Sequence, residues 1–244
     1  MKKLNFKKKV SIFTTSRADY GLLRIFIKEI KKNPKFKSYI IVTASHLEKR
    51  YGSTFKEIES DKVKIHKKIS LKIKSDRIRD LSKSMAIGII SFSKVLEKIH
   101  PDIVVVLGDR IELLPICYSS LLLNIPIAHF NGGESTEGSM DEQVRHSISK
   151  LSHVHFPANE VYAKRLIMMG EAPNRVFNVG GTSVDNIKDK KLLIKKDIEI
   201  FYKIKFKQKI LLITFHTATI KPNQSINELK NLLNILDKYK NYSL

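Results

Sequence analysis

The stretch from His129 to His146 reads HFNGGESTEGSMDEQVRH and crowds a Gly-Gly turn, carboxylates including Glu134 and Asp141, an arginine and two histidines behind an apolar strand. Carboxylates grouped with a cation in a cleft are equipped to move protons and to stabilise developing charge. Asp141 and Arg145 are spaced i, i+4. On a helix both share one face, directed toward Glu134 and His129. Just upstream, Ile103 to Leu107 reads IVVVL and ends in Gly108-Asp109-Arg110, a second carboxylate and arginine at the end of another β-branched run. The glycine permits close backbone approach there. The plain alternatives are that Asp109 and Asp141 are helix N-caps and that Asp141–Arg145 is a surface ion pair.

Ligands of open parallel sheets bind beyond the carboxyl ends of the strands, so these clusters need strands beneath them. Short apolar runs at 10–15, 39–43, 103–107, 126–130 and 153–157 alternate with helical patterns at 20–32, 53–59, 76–98, 112–123, 141–152 and 159–169. That alternation predicts an α/β fold, a Rossmann-like parallel sheet covered by helices on both faces. SRADYG (Ser16–Gly21) leaves the first strand and enters a helix, so its backbone amides and Arg17 are placed to meet a phosphate. The competing reading makes Asp19 the helix N-cap and leaves Arg17 solvated. A further strand is predicted over 176–180, then a polar stretch to Gln208, a strand ILLITF over 210–215 closed by His216, and a helix over 225–239. The composition shift divides the chain into a first domain, 1–180, and the beginning of a second α/β domain, 181–244. One strand and one helix cannot by themselves bury a two-layer core.

The chain has 244 residues, a hydrophobic fraction of 42% and a formal net charge of +21. The positive charge is mostly lysine spread along the whole length, without zinc-finger spacing or an RNA-binding aromatic signature, which argues against a nucleic-acid partner. No apolar run approaches the ~20 residues needed to cross a bilayer, and the basic start lacks a long apolar core. The expectation is a cytoplasmic chain with no membrane partner. Cys117, alone in an apolar segment, reads as a buried inert thiol. His153 and His155 alternate along a strand with no cysteine near them, so no metal site is expected. No GxGxxG or Walker motif occurs, against a dinucleotide cofactor or a P-loop nucleotidase.

Together SRADYG, LGDRIE, HFNGGESTEGSMDEQVRHSISKLSHVHF, VFNVGGTSVDNI and LLITFHTAT resemble the hydrolysing UDP-N-acetylglucosamine 2-epimerases that supply bacterial sialic acid and related nonulosonic acid pathways. The resemblance runs through essentially the whole chain. It implies two Rossmann-like domains of the glycosyltransferase B architecture with the active site between them, a UDP-sugar substrate, no cofactor and a homodimer in the full-length form. It matches Asp109 and Asp141 to acid/base carboxylates and Glu134 to a further catalytic glutamate. Arg145 matches an arginine on the same helix, Arg17 a phosphate-contacting arginine, and His216 a histidine near the diphosphate. Arg110 and Asn131 join the substrate-binding set. Many relatives carry a catalytic glutamate at Asn131, and a neutral amide cannot accept a proton. Family members complete the second domain, which holds the uridine, so the chain resembles a C-terminally truncated member. The implied substrate is UDP-N-acetylglucosamine or UDP-2,4-diacetamido-2,4,6-trideoxyglucose. The competing reading is an inactive fragment that retains a binding or dimer surface.

Overall fold

A computed structural model describes residues 7–75, 77–189, 192–216 and 222–243. The chain divides into two compact units, Met1–Ser135 with Asp141–Asp189, and Thr136–Met140 with Lys190–Leu244.

The first unit alternates strands and helices: β1 (Lys8–Thr14), α1 (Arg17–Lys32), β2 (Phe36–Thr43), α2 (Phe55–Ser60), β3 (Ile65–Ile69), α3 (Ile78–Ile99), β4 (Ile103–Leu107), α4 (Leu113–Leu122), β5 (Ile127–Phe130), α5 (Asp141–Leu151), β6 (Val154–Phe156), α6 (Glu160–Met168) and α7 (Thr182–Asp189). Six strands form one parallel sheet in the order β3-β2-β1-β4-β5-β6. The order reverses between β1 and β4, where an open sheet of this kind presents its ligand crevice.

Both faces of the sheet are covered, because successive residues of a strand point to opposite sides. Phe13, Ile41, Val104 and Val106 pack with Phe92 and Leu96 of α3, Leu113 and Ile116 of α4 and Ile148 of α5. Ile12, Ile40, Val42, Val105 and Leu107 pack with Leu23 and Ile27 of α1 and Ile58 of α2. β1, β2, β4 and β5 therefore read as continuous apolar runs at their buried ends. Cys117 sits in the first of these cores, and burial pushes its thiol up to about 12. Among the described residues no helix is long and apolar enough to cross a membrane.

Within the first unit the elements and their boundary depart from the sequence expectation in several places. β3 (IHKKI) lies outside the predicted strands, because Lys67 and Lys68 hide its apolar ends; lysine is common on an edge strand, where it blocks further pairing. The predicted strand over 176–180 is absent: Val176 forms an isolated bridge to His155, and Phe177 N–H donates to the His155 carbonyl at 2.9 Å. The polar stretch that follows, for which no element was predicted, contains α7, which packs on α1 and whose Asn186 side chain donates to the Gly21 carbonyl at 2.6 Å. The first unit consequently runs past Gly180 to Asp189.

In the second unit the predicted ILLITF strand shrinks to β7 (Lys209–Ile210), paired in parallel with β8 (Tyr242–Ser243) and accompanied by α8 (Lys195–Tyr202) and α9 (Pro222–Leu236). Leu211 N–H still donates to the Ser243 carbonyl at 2.9 Å, and pairing stops where β8 stops. His216 is exposed and lies beyond that ladder, not at its end.

Candidate functional site

At the carboxyl end of β4 the backbone turns through Gly108, whose φ is +87°, and presents Asp109 and Arg110. Asp109 does not cap α4, whose N-cap position is Glu112. Its carboxylate instead accepts a hydrogen bond from the Arg145 guanidinium, an arginine almost entirely removed from solvent. Arg145 thus reaches across from α5 to β4, and the surface-pair reading does not hold for it. Asp141, the first residue of α5, lies one turn before Arg145 on the same face.

Burial raises the Asp109 carboxyl above its ordinary value; Arg145 opposes the rise and Asp141 adds to it. Burial likewise raises Glu134, against Arg145 and with Asp109. Asp109, Glu134, Asp141 and Arg145 therefore share one field. Carboxyls lifted toward neutrality beside an ion-paired arginine are suited to giving and taking protons.

β5 ends in the turn Asn131-Gly132-Gly133 that delivers Glu134. Asn131 adopts φ +58°, a left-handed conformation that asparagine tolerates better than most side chains. Its N–H donates to the Phe156 carbonyl at 3.0 Å, while its buried Oδ1 has no hydrogen-bond partner. A Cβ on Gly133 would lie 2.5 Å from the Tyr162 carbonyl oxygen, so the turn packs directly on α6. Arg165 of α6 donates to the Gly133 carbonyl and fixes the turn from below.

The β1–α1 turn is knotted by a carboxylate whose place differs from the sequence expectation. Ser16, not Asp19, is the N-cap of α1, and Asp19 is the third helical position of a reciprocal capping box. The Asp19 carboxylate accepts Thr15 N–H at 2.7 Å, Ser16 N–H at 2.7 Å, Tyr20 N–H at 2.9 Å and the hydroxyls of Thr14, Thr15 and Ser16. The amides of Thr15 and Ser16 are therefore already bonded, which removes them from the expected phosphate contact. Arg17 opens α1 and is exposed. Arg110 donates to Ser45 Oγ at 3.2 Å and to Glu112 at 2.9 Å, so its guanidinium is held toward the carboxyl end of β2.

Three histidines are buried in the first unit, His46, His129 and His155, and the sequence pointed to the last two but not to His46. His46 Nε2 lies 2.9 Å from Thr14 Oγ1 and Nδ1 lies 2.8 Å from Thr54 Oγ1; burial lowers its pKa, with Asp19 opposing. His129, named above for its place in the motif, is fully buried rather than facing the cleft, and burial pulls it down to about 3. Asp19 had a signal in Ser16-x-x-Asp19, the capping-box pattern; His46 had none, because its partners are distant in sequence.

Of the expected residues, the first unit brings together Asp109, Glu134, Asp141 and Arg145, with Asn131 three residues before Glu134 at the start of its turn. His216 belongs to the second unit. A cavity of about 760 Å³ opens elsewhere, lined by Lys9, Tyr39, His66, Lys67, Lys94 and Lys98. It holds no carboxylate and no part of the acid/base cluster.

A family model described as UDP-N-acetylglucosamine 2-epimerase matches residues 28–244. The GDP/UDP-N,N'-diacetylbacillosamine 2-epimerase (hydrolyzing) of Campylobacter jejuni is 42% identical over 238 residues, which are 98% of this chain and 62% of the relative. The UDP-N,N'-diacetylbacillosamine 2-epimerase (hydrolyzing) of Legionella pneumophila is 37% identical over 209 residues, 86% of this chain and 55% of the relative. A crystal structure of UDP-GlcNAc 2-epimerase from Neisseria meningitidis bound to UDP-GlcNAc superposes with a TM-score of 0.81 at 25% identity, covering 97% of this chain and 64% of that one. The chain thus spans about six-tenths of the length of these relatives.

Proposed function

Since the chain belongs to the UDP-N-acetylglucosamine 2-epimerase family, we propose that its carboxylate cluster serves a hydrolysing 2-epimerase acting on a UDP-linked 2-acetamido sugar. The observation that carries the reading is the ion pair between partly buried Asp109 and buried Arg145, which shares its field with Glu134 and Asp141 at the carboxyl end of the sheet. No carbonyl flanks the sugar C2, so its proton becomes removable only as positive charge develops at C1 with departure of UDP. One carboxylate takes the C2 proton while the C1–O bond to UDP breaks, which leaves a 2-acetamidoglucal and UDP. Water then adds its hydroxyl to C1, and a carboxylic acid returns a proton to C2 from the other face, releasing the free sugar with inverted C2. Asp109 and Asp141 are the acid/base pair in this scheme, Glu134 supports the charge at C1, and Arg145 keeps Asp109 aligned. Arg17, Arg110 and His216 are assigned to the diphosphate, and Asn131 to the sugar.

Two substrates fit. UDP-N-acetylglucosamine would yield N-acetylmannosamine; UDP-2,4-diacetamido-2,4,6-trideoxyglucose is favoured by the names of the relatives at 42% and 37% identity. A role in sialic or legionaminic acid synthesis and a homodimer rest on the family resemblance, and a cytoplasmic setting on the sequence's lack of a long apolar run. The test uses a form of the protein that spans the full length of its relatives, given each UDP-sugar in deuterated water. The expected products are UDP and a C2-inverted sugar carrying deuterium at C2. Asp109→Asn and Asp141→Asn should each lower kcat by about 10²–10⁴-fold with a much smaller change in KM. Transfer of the sugar to an acceptor, or undiminished kcat in both variants, would refute the reading.

A further inference from the structure

Three separate chain segments carry the acid/base groups: the β4 end with Asp109, the β5 turn with Glu134, and α5 with Asp141 and Arg145. One buried side chain touches all three. His129 Nε2 lies 2.8 Å from the Gly108 carbonyl oxygen, the residue before Asp109. A carbonyl only accepts, so Nε2 carries the proton and Nδ1 is the acceptor. Nδ1 lies 3.1 Å from Ser149 Oγ, whose hydroxyl therefore donates to it. Ser149 continues the row Asp141, Arg145, Ser149 at i, i+4, i+8 on α5, so the helix face that bonds His129 is the face that presents the site residues.

The third contact is steric. A Cβ on Gly132 would lie 2.9 Å from both His129 Nδ1 and Ser149 Oγ, so the β5 turn closes directly over the imidazole–hydroxyl bond. His129 and Ser149 are both completely buried. With one nitrogen donating and the other accepting, the ring has no capacity left for substrate, and burial keeps it neutral.

We propose that His129 is the positioning residue of this site: its bonds to Gly108 and Ser149, closed over by Gly132, hold Asp109, Glu134 and the Asp141–Arg145 face in one fixed register. The kinetic part of this inference rests on the epimerase reading; the geometric part does not. Reacting groups misplaced by about 1 Å lose on the order of 10²-fold in rate, so a strut that fixes three segments acts on kcat.

The experiment uses Ser149→Ala, which deletes one hydroxyl, together with His129→Gln, whose amide N–H can still donate to Gly108, and His129→Leu, which cannot. In the 244-residue chain, carbon-13 labelled aspartate reports the titration of Asp109. Ser149→Ala and His129→Leu should each move it by roughly half a pH unit or more, as Arg145 and Asp141 shift relative to it. In the full-length form, kcat should fall about 10- to 100-fold in Ser149→Ala and further in His129→Leu, with KM within about threefold, and His129→Gln should recover part of the loss. An unmoved Asp109 titration in folded Ser149→Ala would overturn the inference, as would a kcat equal to wild type in His129→Leu. If wild type turns over neither sugar while the Asp109 titration moves as expected, the epimerase reading falls and the positioning role stands.

Discussion

Asn131 is where physical and family arguments meet on one residue. Its left-handed φ of +58° suits asparagine. Placing another side chain in that conformation costs about 1–2 kcal/mol. A glutamate there would begin with that strain and would need a different turn to aim its carboxylate. Asn131→Glu should therefore give little gain in turnover, while Glu134→Gln should abolish it; a large gain from the first with an indifferent second would show that the amide is a damaging departure. His129 supports a second expectation. Its folded-state pKa of about 3 lies below the ordinary 6.5. The unfolded chain therefore binds the proton first, and the neutral histidine's contribution to stability is present above pH 6.5 and lost as the pH falls toward 3. Stability to urea should weaken over that interval by up to about 1.4 kcal/mol per pH unit from this residue. His129→Gln should flatten the slope; an unchanged slope would place the acid sensitivity elsewhere. The candidate chemical residues could be singled out in sequence because Asp109 and Glu134 each follow a glycine and Asp141 lies in the same polar motif as Glu134. His129 stood in the same motif, yet its partners Gly108 and Ser149 are 21 and 20 residues away, and no local pattern announces a buried strut.

At the level of elements, the β1–α1 turn owes its shape to a single carboxylate. Asp19 accepts three backbone N–H groups with both of its oxygens engaged. An amide in its place would have to aim its NH₂ at one or more of those donors in either orientation. Asp19→Asn should accordingly destabilise the first unit by about 2–3 kcal/mol, read as a lower urea midpoint at unchanged slope; a shift below the error of that measurement would mean that the turn is held by the sheet alone. The buried strands β1, β4 and β5 were legible in sequence as short, mainly apolar runs, as were α3 to α6 from their periodicity. β3 was not, because an edge strand buries only part of itself and its lysines mask the pattern. The misplaced strand over 176–180 shows the opposite error. VFNVG has strand composition, but the segment takes only a single bridge to β6, and Phe177 and Val179 are exposed. α7 was missed because its apolar contacts are few; its docking on α1 uses a side-chain amide, which hydrophobic periodicity does not report.

Over the whole molecule, stability is distributed unevenly between the two compact units. The first contains both apolar cores, with Phe13, Phe92, Leu23, Ile27, Ile40 and Ile41 shielded almost completely from water. In the second, Ser225 is the only fully buried residue among those described, while Phe201, Ile200, Leu192 and Leu212 are between 67% and 96% exposed. Burial of apolar surface contributes roughly 25 cal/mol per Å², so a segment that shields so little has a small local free energy of opening. Hydrogen exchange on the 244-residue chain should show β1, β2, β4 and β5 protected to near the global limit. Amides of α8, β7 and α9 should exchange faster by several orders of magnitude, at the low end of the range for native segments. Limited proteolysis should cut first within 190–244 and leave a folded core ending near Asp189, the boundary at which α7 still packs on α1. Equal protection in both units, or first cleavage inside the six-stranded sheet, would contradict this division of stability. The carboxylate cluster should survive such trimming, since Asp109, Glu134, Asp141 and Arg145 and their strut all lie in the protected unit, so the Asp109 titration measured on the trimmed core should match that of the intact chain.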